Sequence, residues 1–430
     1  MSAERFDVGI VGAGPAGLAA AIGAARQGAR VVIIERRRIV GGNATAAMVG
    51  TICGVSRCGP HLHTSPRFDN PGFATEFSRR VAERSGKELV RNPLGLTYLP
   101  YIAEAFEAVS CTLVAEHPAT SLLTEISISA IERMGSSGGF VLRMSNALDR
   151  HLEIQAATLV DCSGNSEALK LLNLPTVAPS PSQAAALVFE LSGLPDLDEQ
   201  SIGFTVRKLL REAVLDDMLP DELSYISIVP GSLSHNRALF KLGTAAPTTE
   251  MHKAWTEQIY SQLSSSIPHI VSYLKGHGSG FQSISHSGTA PALGIRSGDR
   301  GLGEEELSTE GVRLSQRHIK GIAVGLWPVE LWDSPAKPKV TFPDEGEGYE
   351  IPMGSLCAKG IDGVYFAGRG LAATDYAIGS ARVIGTSLST GYAAGWLAAG
   401  RLQGQSEDDI VRALREQQVE PLYYDRHTLA

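Results

Sequence analysis

Charge is scarce in this chain. Only 20% of its 430 residues are Asp, Glu, Lys or Arg, against 43% hydrophobic residues, which excludes a disordered or solvating polypeptide and fits a globular enzyme. Basic residues are outnumbered, and a net charge of −8 argues against a general nucleic-acid binder, so no nucleic-acid partner is expected. Cysteine is sparse too. Cys53, Cys58, Cys111, Cys162 and Cys357 form no dense framework, and an odd number cannot pair fully within one chain, so a reducing compartment is expected. Unbroken apolar runs are missing as well: two uncharged 18-residue stretches, 8–25 and 383–400, approach membrane-span length but are interrupted by Gly, Pro, Ser or Thr. The first also lacks a signal peptide's flanks, with only Arg5 ahead of it and no clear cleavage pattern before Arg26. A soluble cytoplasmic protein without a membrane span is expected.

What the chain has in surplus is glycine, 46 of 430 residues, or about 11% where roughly 7% is average, so tight turns and close backbone approaches are numerous. Its length, about three times the ~100–150 residues of a typical domain, favours two intimately joined domains or one large α/β unit. An apolar strand at 6–11 ends in Gly12-Ala13-Gly14-Pro15-Ala16-Gly17. An Ala-rich helix follows over 18–27, Gly28 ends it, and Val31-Val32-Ile33-Ile34 forms the next parallel strand, closing on Glu35. Further helices are predicted around 75–85 and 102–110, and a three-stranded meander over 122–131, 140–144 and 152–160. Strands at 185–191 and 223–229 then mix with helices at 206–215 and 251–264, before a strand at 363–367 and a small-residue helix at 384–399. The predicted fold is α/β: a Rossmann-like dinucleotide-binding domain with a β-meander (1–175), interrupted by an α+β substrate domain (176–340) and completed by a return segment and C-terminal helix (341–430).

Gly12, Gly14 and Gly17 make a G-x-G-x-x-G fingerprint, and Glu35 follows 18 residues after Gly17. The first glycine allows the tight turn, the second lets the backbone approach a pyrophosphate, and the third lets helix and strand pack closely. The helix N-terminus offers N–H groups and partial positive charge, and Glu35 can accept hydrogen bonds from ribose hydroxyls. A purely structural glycine turn is the bland alternative, and the strand–helix–acid context speaks against it. The fingerprint does not choose between NAD and FAD.

More residues bear on that choice. Glu35-Arg36-Arg37 leading to Gly41-Gly42-Asn43-Ala44-Thr45, then Leu159-Val160-Asp161-Cys162-Ser163-Gly164-Asn165, and later Val364-Tyr365-Phe366-Ala367-Gly368-Arg369, resemble the FAD-dependent oxidoreductases related to the fumarate reductase and succinate dehydrogenase flavoproteins. The resemblance extends across most of the chain and takes in 349–356 and 378–386. It implies non-covalent FAD in a glutathione reductase-type fold. Gly12, Gly14, Ala16 and Gly17 would bind pyrophosphate, Glu35 with Arg36 the adenosine ribose, and Gly42, Asn43, Ala44 and Thr45 would pass near the flavin ring. Asp161 and Gly164 would complete the adenosine side, and Gly368 and Arg369 would lie near the pyrophosphate or ribityl chain, although Arg369 could instead be a structural ion-pair partner. Arg382, Val383 and Ile384 would sit by the pyrimidine edge, where a helix N-terminus stabilises negative charge on reduced flavin.

No second G-x-G-x-x-G follows a strand, so a dedicated NAD(P)H domain is not expected. Cys53, Cys58, His61 and His63 carry zinc-ligand chemistry, but their C-x4-C-x2-H-x-H spacing is compressed and no distant second pair exists, so no metal is expected. They read instead as a buried cysteine with loop histidines, as a reactive Cys53, or as a proton carrier at His61 or His63. Arg296, in Pro291-Ala292-Leu293-Gly294-Ile295-Arg296, could bind an anionic substrate or form an inter-domain ion pair. The run Leu326-Trp327-Pro328-Val329-Glu330-Leu331-Trp332 resembles Trp-Pro-Ile-Asp-Ile-His in relatives, with Glu330 replacing the Asp and Trp332 the His. An indole is no base, so Trp332 is expected to shape a substrate pocket or to pack as core. The expected reaction is a two-electron conversion of a small or medium organic substrate by hydride transfer at flavin N5, with His61, His63, Glu330 or Tyr376 handling a proton. The electron acceptor or reductase is left open. The alternatives are a monooxygenase or halogenase served by a separate reductase, and a non-catalytic flavin module passing electrons within a complex.

Overall fold

β1 (Glu4–Val11), α1 (Pro15–Arg26) and β2 (Val31–Ile34) form the first βαβ unit of the computed structural model, which describes residues 4–60, 62, 64–135, 138–245, 253–344 and 348–417. All four β2 side chains are buried, as a parallel strand covered on both faces requires. Val8 lies opposite Val31 and Val11 opposite Ile34.

Residues 122–131, read from sequence as one strand, divide. β3 (Thr120–Leu123) joins the parallel sheet beside β2, whereas β4 (Ile126–Arg133) opens an antiparallel meander with β5 (Phe140–Asn146) and β6 (His151–Asp161). The division falls at Glu125, whose φ of 59° belongs to the left-handed region that no extended strand contains. β6 runs parallel to β1 on one side. Its other side pairs with β5 over the first half and with the strand Val364–Phe366 over the last three residues. The sheet order is therefore β3-β2-β1-β6-β5-β4, with the late strand added beside β6.

A second sheet is built on β7 (Ala185–Ser192) and β8 (Ala238–Thr244), flanked by the strands Ile226–Ile228 and Ser285–Thr289. Phe189, Phe240 and Leu242 face a core with Ile202, Val206 and Leu210 of the helix Glu199–Leu215. That helix begins earlier than its apolar pattern suggests because Asp198 caps it, accepting the Ser201 N–H at 2.9 Å. The neighbouring helix Lys253–His277 continues through Pro268, beyond its expected end at 264.

The second core draws on residues between Leu187 and Leu293, while Leu307, Val312, Ile322 and Val329 pack into the first core. The stretch 176–340 is thus shared between two cores, and the chain returns to the first one well before residue 341. β9 (Val329–Leu331) lies in this return. It leads to α2 (Ile384–Leu402), which packs directly on α1. A Cβ at Gly391 would stand 2.1 Å from the Ala16 carbonyl oxygen, and one at Gly395 1.9 Å from that of Ala20. Only glycine lets the two helix backbones touch in this way. Among the described residues no helix is long and apolar enough to cross a membrane.

Candidate functional site

The glycine turn shows three different geometries at its three glycines. Gly12 has φ +96°, and a Cβ there would meet the Cys162 carbonyl oxygen at 2.8 Å; a Cβ at Gly17 would lie 1.8 Å from the Gly12 carbonyl oxygen. Both positions are closed by backbone. Gly14 is open, its nearest neighbour being the Gly42 Cα at 4.0 Å from a built Cβ. Gly14 is also the N-cap of α1, with no side-chain cap and no acid in the first turn. The orphan N–H groups and positive end of the helix dipole therefore face that space. Glu35 is buried at the end of β2 and accepts the Ala13 N–H at 2.8 Å and the Arg37 N–H at 2.9 Å, which ties it to the turn. Arg36 points outward to Glu167 at 3.0 Å.

Segments far apart in sequence converge on the other side of this cradle. Thr45 donates to the Val40 carbonyl at 2.7 Å, and the Ala44 carbonyl accepts Tyr101 at 2.7 Å, fixing the turn that starts at Gly42. The Ile295 carbonyl accepts the Asn43 amide at 2.9 Å and also the Arg369 guanidinium. Gly164 backs onto Arg369, and Gly368 onto Ala16. Val383 is the uncapped N-cap of α2, Ile384 is its first residue, and a Cβ on Gly385 would meet the backbone of Cys53 and Gly54 within 2.7 Å. Asp161 behaves differently from the expectation that it faces adenosine. It is buried and accepts Ser163 N–H and hydroxyl and the N–H groups of Ala168 and Leu169, so it holds the 161–169 turn from within.

Beyond the Ile295 carbonyl lies a half-buried charge cluster between the two cores. Glu330 on β9 accepts the indole N–H groups of Trp327, at 2.8 Å, and Trp332. Arg382 donates to the Glu330 carbonyl at 2.9 Å and to the Gln183 side chain at 3.2 Å, and its Nε is buried with no partner among the described residues. Arg296 reaches the Ala184 carbonyl, and its Cζ lies 4.1 Å from the Trp332 ring centroid, while the Lys241 Nζ is 4.7 Å from the same ring. Burial pushes the Glu330 carboxyl up, but Arg382, Arg296 and the two indole donors outweigh it and hold it below the usual carboxylate range. Burial, then Arg382, lowers Arg296 to about 10; burial, then Arg382, Arg36 and Arg37, does the same to Arg369. Cys53, beside Glu330, is pushed up by burial, and Cys58 to about 12.

Of the residues singled out in the sequence, Arg296, Arg369 and Tyr376 line one pocket together with Gln183. Glu330, Trp332 and Arg382 form the adjoining cluster. His61 and His63 lie outside the described residues, and among those described no group of metal-ligating side chains is assembled. All five cysteines are unpaired. Arg296 has no carboxylate within ion-pair distance among the described residues, so the inter-domain ion pair is replaced by a stack on Trp332. Trp332 is only 8% exposed, and Ala184 donates to its carbonyl, so it is packed in place as well as facing the cluster. Sequence reasoning missed Lys241. Its signal was a lone cation within the apolar run Phe240-Lys241-Leu242, pointing to the opposite face of β8.

The open space at Gly14, the two uncapped helix N-termini and the orphaned Arg382 Nε suit a long, phosphate-bearing cofactor with a polar ring system, as FAD is. Segments of 45 and 52 residues are 53% and 52% identical to the soluble pyridine nucleotide transhydrogenases of Chromohalobacter salexigens and Hahella chejuensis. The chain matches only about a tenth of the length of these curated relatives, 10% and 11%, over 10% and 12% of itself. Among solved structures, the anhydrotetracycline hydroxylase OxyS of Streptomyces rimosus aligns over 95% of this chain and 65% of its own, at 13% identity and a TM-score of 0.48. A flavoprotein/dehydrogenase from Cytophaga hutchinsonii aligns over 96% and 83%, at 13% identity and a TM-score of 0.45. The family model described as FAD dependent oxidoreductase matches residues 7–419, nearly the whole length over which the cradle, the two cores and the charge cluster are built. The chain belongs to the FAD-dependent oxidoreductase family, an enzyme with FAD as its cofactor.

Proposed function

We propose that the enzyme oxidises or reduces a small or medium organic substrate by two electrons at the junction of the two cores. One observation carries this reading: the Ile295 carbonyl joins Asn43 and Arg369, at the end of the glycine cradle, to Arg296 at the start of the charge cluster. A cofactor lying along the cradle therefore ends where the half-buried charges begin. When bound, FAD supplies a two-electron centre whose N5 takes or returns a hydride.

In this reading Gly12, Gly14, Ala16, Gly17 and the α1 N-terminus hold the pyrophosphate, and Glu35 faces the ribose with the lone pairs not used by Ala13 and Arg37. Gly42, Asn43, Ala44 and Thr45 border the flavin ring, Gly164, Gly368 and Arg369 the middle of the cofactor, and Arg382, Val383 and Ile384 its pyrimidine edge. Arg296 and Trp332 bind substrate, with Tyr376 across the pocket. Glu330, held ionised by two indoles and two guanidiniums, orients the cluster and does not donate a proton. Kinship with the fumarate reductase and succinate dehydrogenase flavoproteins, suggested by the motifs at 41–45 and 364–369, belongs to the same reading.

The test is anaerobic titration of the purified holoenzyme with a panel of small alcohols, amines and carboxylic acids, following flavin bleaching. A substrate should bleach the flavin faster than NADH or NADPH does. Rapid bleaching by NAD(P)H alone would overturn the reading and favour an oxygen-activating monooxygenase.

A further inference from the structure

We propose that the pocket shared by Arg296, Arg300 and Arg369 takes the carboxylate of a small monocarboxylic acid, gripped by Arg296 and Arg300. The inference rests on the junction reading above and names the substrate class for it.

Arg300 pairs with Val177 on a short antiparallel ladder and is only 3% exposed. Its guanidinium donates to Asp375 at 2.8 Å through Nη1, and the same carboxylate oxygen accepts the Ser180 N–H at 3.2 Å. The Arg300 Nε is buried with no partner among the described residues. Arg296 and Arg369 each give one nitrogen to a backbone carbonyl, that of Ala184 and that of Ile295. A guanidinium carries five N–H donors, so most of this capacity is unspent among the described residues. All three side chains wall one cavity of about 90 Å³. Arg382 stands close enough to repel both Arg296 and Arg369. Two carboxylates reach the same wall, but Asp375 is taken up by Arg300 and Asp333 is exposed to solvent. Unspent donors on mutually repelling cations around one space are what a bound anion relieves.

The shape of the pocket narrows the class of anion. A guanidinium fork matches the two oxygens of a planar carboxylate, and Arg296 is held over the Trp332 ring at 4.1 Å, which presets its fork. The cavity is smaller than the ~150 Å³ that takes benzene, so it admits one carboxylate on a short stem and no second one. Leu331, Ile378 and Pro181 supply apolar wall for that stem. The pocket also adjoins the cradle: Gly298 in its lining backs onto the Gly164 carbonyl oxygen, 2.2 Å from a built Cβ, and Arg369 borders both. The remainder of the acid therefore points to where the cofactor lies.

The test compares propionate with propionamide, equal in shape and different in charge, on the whole holoenzyme. Saturation-transfer NMR on the methyl group of each gives its affinity without relying on the flavin. Propionate should bind at least about tenfold tighter, the loss expected when a charge-assisted pair is removed. Succinate should bind no tighter than propionate. The preference for acid over amide should vanish in Arg300→Gln and in Arg296→Gln, the second of which leaves the Asp375 ion pair in place. Propionate should also shift the flavin absorbance at the concentrations where it binds. Equal binding of acid and amide would overturn the proposal, and so would a preference that survives in folded Arg300→Gln, since Arg300 would then serve Asp375 alone. Sulfate competing as well as propionate would overturn it by showing a general anion site, and succinate binding tenfold tighter would overturn the single-carboxylate fit. Bound propionate that leaves the flavin spectrum unmoved would overturn the assignment to substrate. A chain that purifies without FAD sinks the flavin reading instead, and the acid–amide comparison still decides the pocket.

Discussion

Glu330→Gln tests whether the charge cluster is stabilising as assembled. The substitution keeps shape and removes a negative charge that acts on Arg382, Arg296 and Lys241. Glutamine retains one acceptor oxygen, so one of the indole N–H groups of Trp327 and Trp332 keeps a partner, and the other meets an amide NH2. A hydrogen bond to a charged group contributes about 1.5–3 kcal/mol, and unpairing desolvated cations adds to its loss. Glu330 retains some solvent exposure, so the lower part of that range applies and the expected destabilisation is about 2 kcal/mol, read as a lower urea midpoint at pH 7. The pH dependence has a definite sign. The folded carboxyl is held below its ordinary value, so its contribution is complete above the unfolded pKa of ~4.3 and is lost as pH falls through the lower folded value. The gap between wild type and variant should therefore persist through the ordinary carboxylate range and close only below it. A variant within ~0.5 kcal/mol of wild type at pH 7 would show that the desolvation of Glu330 cancels its contacts and that the account of the cluster is wrong.

The glycine turn gives a contrast between neighbours. Gly14→Val should strip most FAD from the protein with little change in the urea midpoint, since the new side chain enters open space, whereas Gly17→Ala should lower stability by about 2 kcal/mol or more because its Cβ would collide with the Gly12 carbonyl. Trp332→Phe keeps a ring for Arg296 and Lys241 but loses the indole N–H to Glu330, so it should cost about 1–3 kcal/mol and weaken substrate binding with FAD retained. Trp332→His should lose more, because the smaller ring also leaves a void at a buried position. Wild-type affinity, turnover and melting temperature in both variants would remove position 332 from the account.

What could be read from sequence was what is local. The strand, glycine turn and helix at 4–34 are dictated by neighbours within a few residues, and the spacing of Gly12, Gly14, Gly17 and Glu35 carries its own geometry. The motifs at 41–45 and 364–369 led to their place in the cradle through the resemblance. The errors came where long-range contact decides. Nothing local shows that residues from Leu307 onward fill the first core, or that Asp161 turns inward to hold its own loop. The division at Glu125 needs a left-handed residue that is not glycine, which composition gives no reason to expect. Lys241 was invisible because its place comes from Trp332, ninety-one positions later and just past the end of β9. Alternation along β8 separates its face from the core but cannot say what covers it.

The most direct test of the central claim is the cofactor stoichiometry of the purified chain, read from its visible spectrum and from the nucleotide released on denaturation. The account predicts a yellow protein releasing one FAD per chain, with the flavin bound non-covalently and lost from Gly14→Val. A colourless chain that takes up NAD but not added FAD would contradict it.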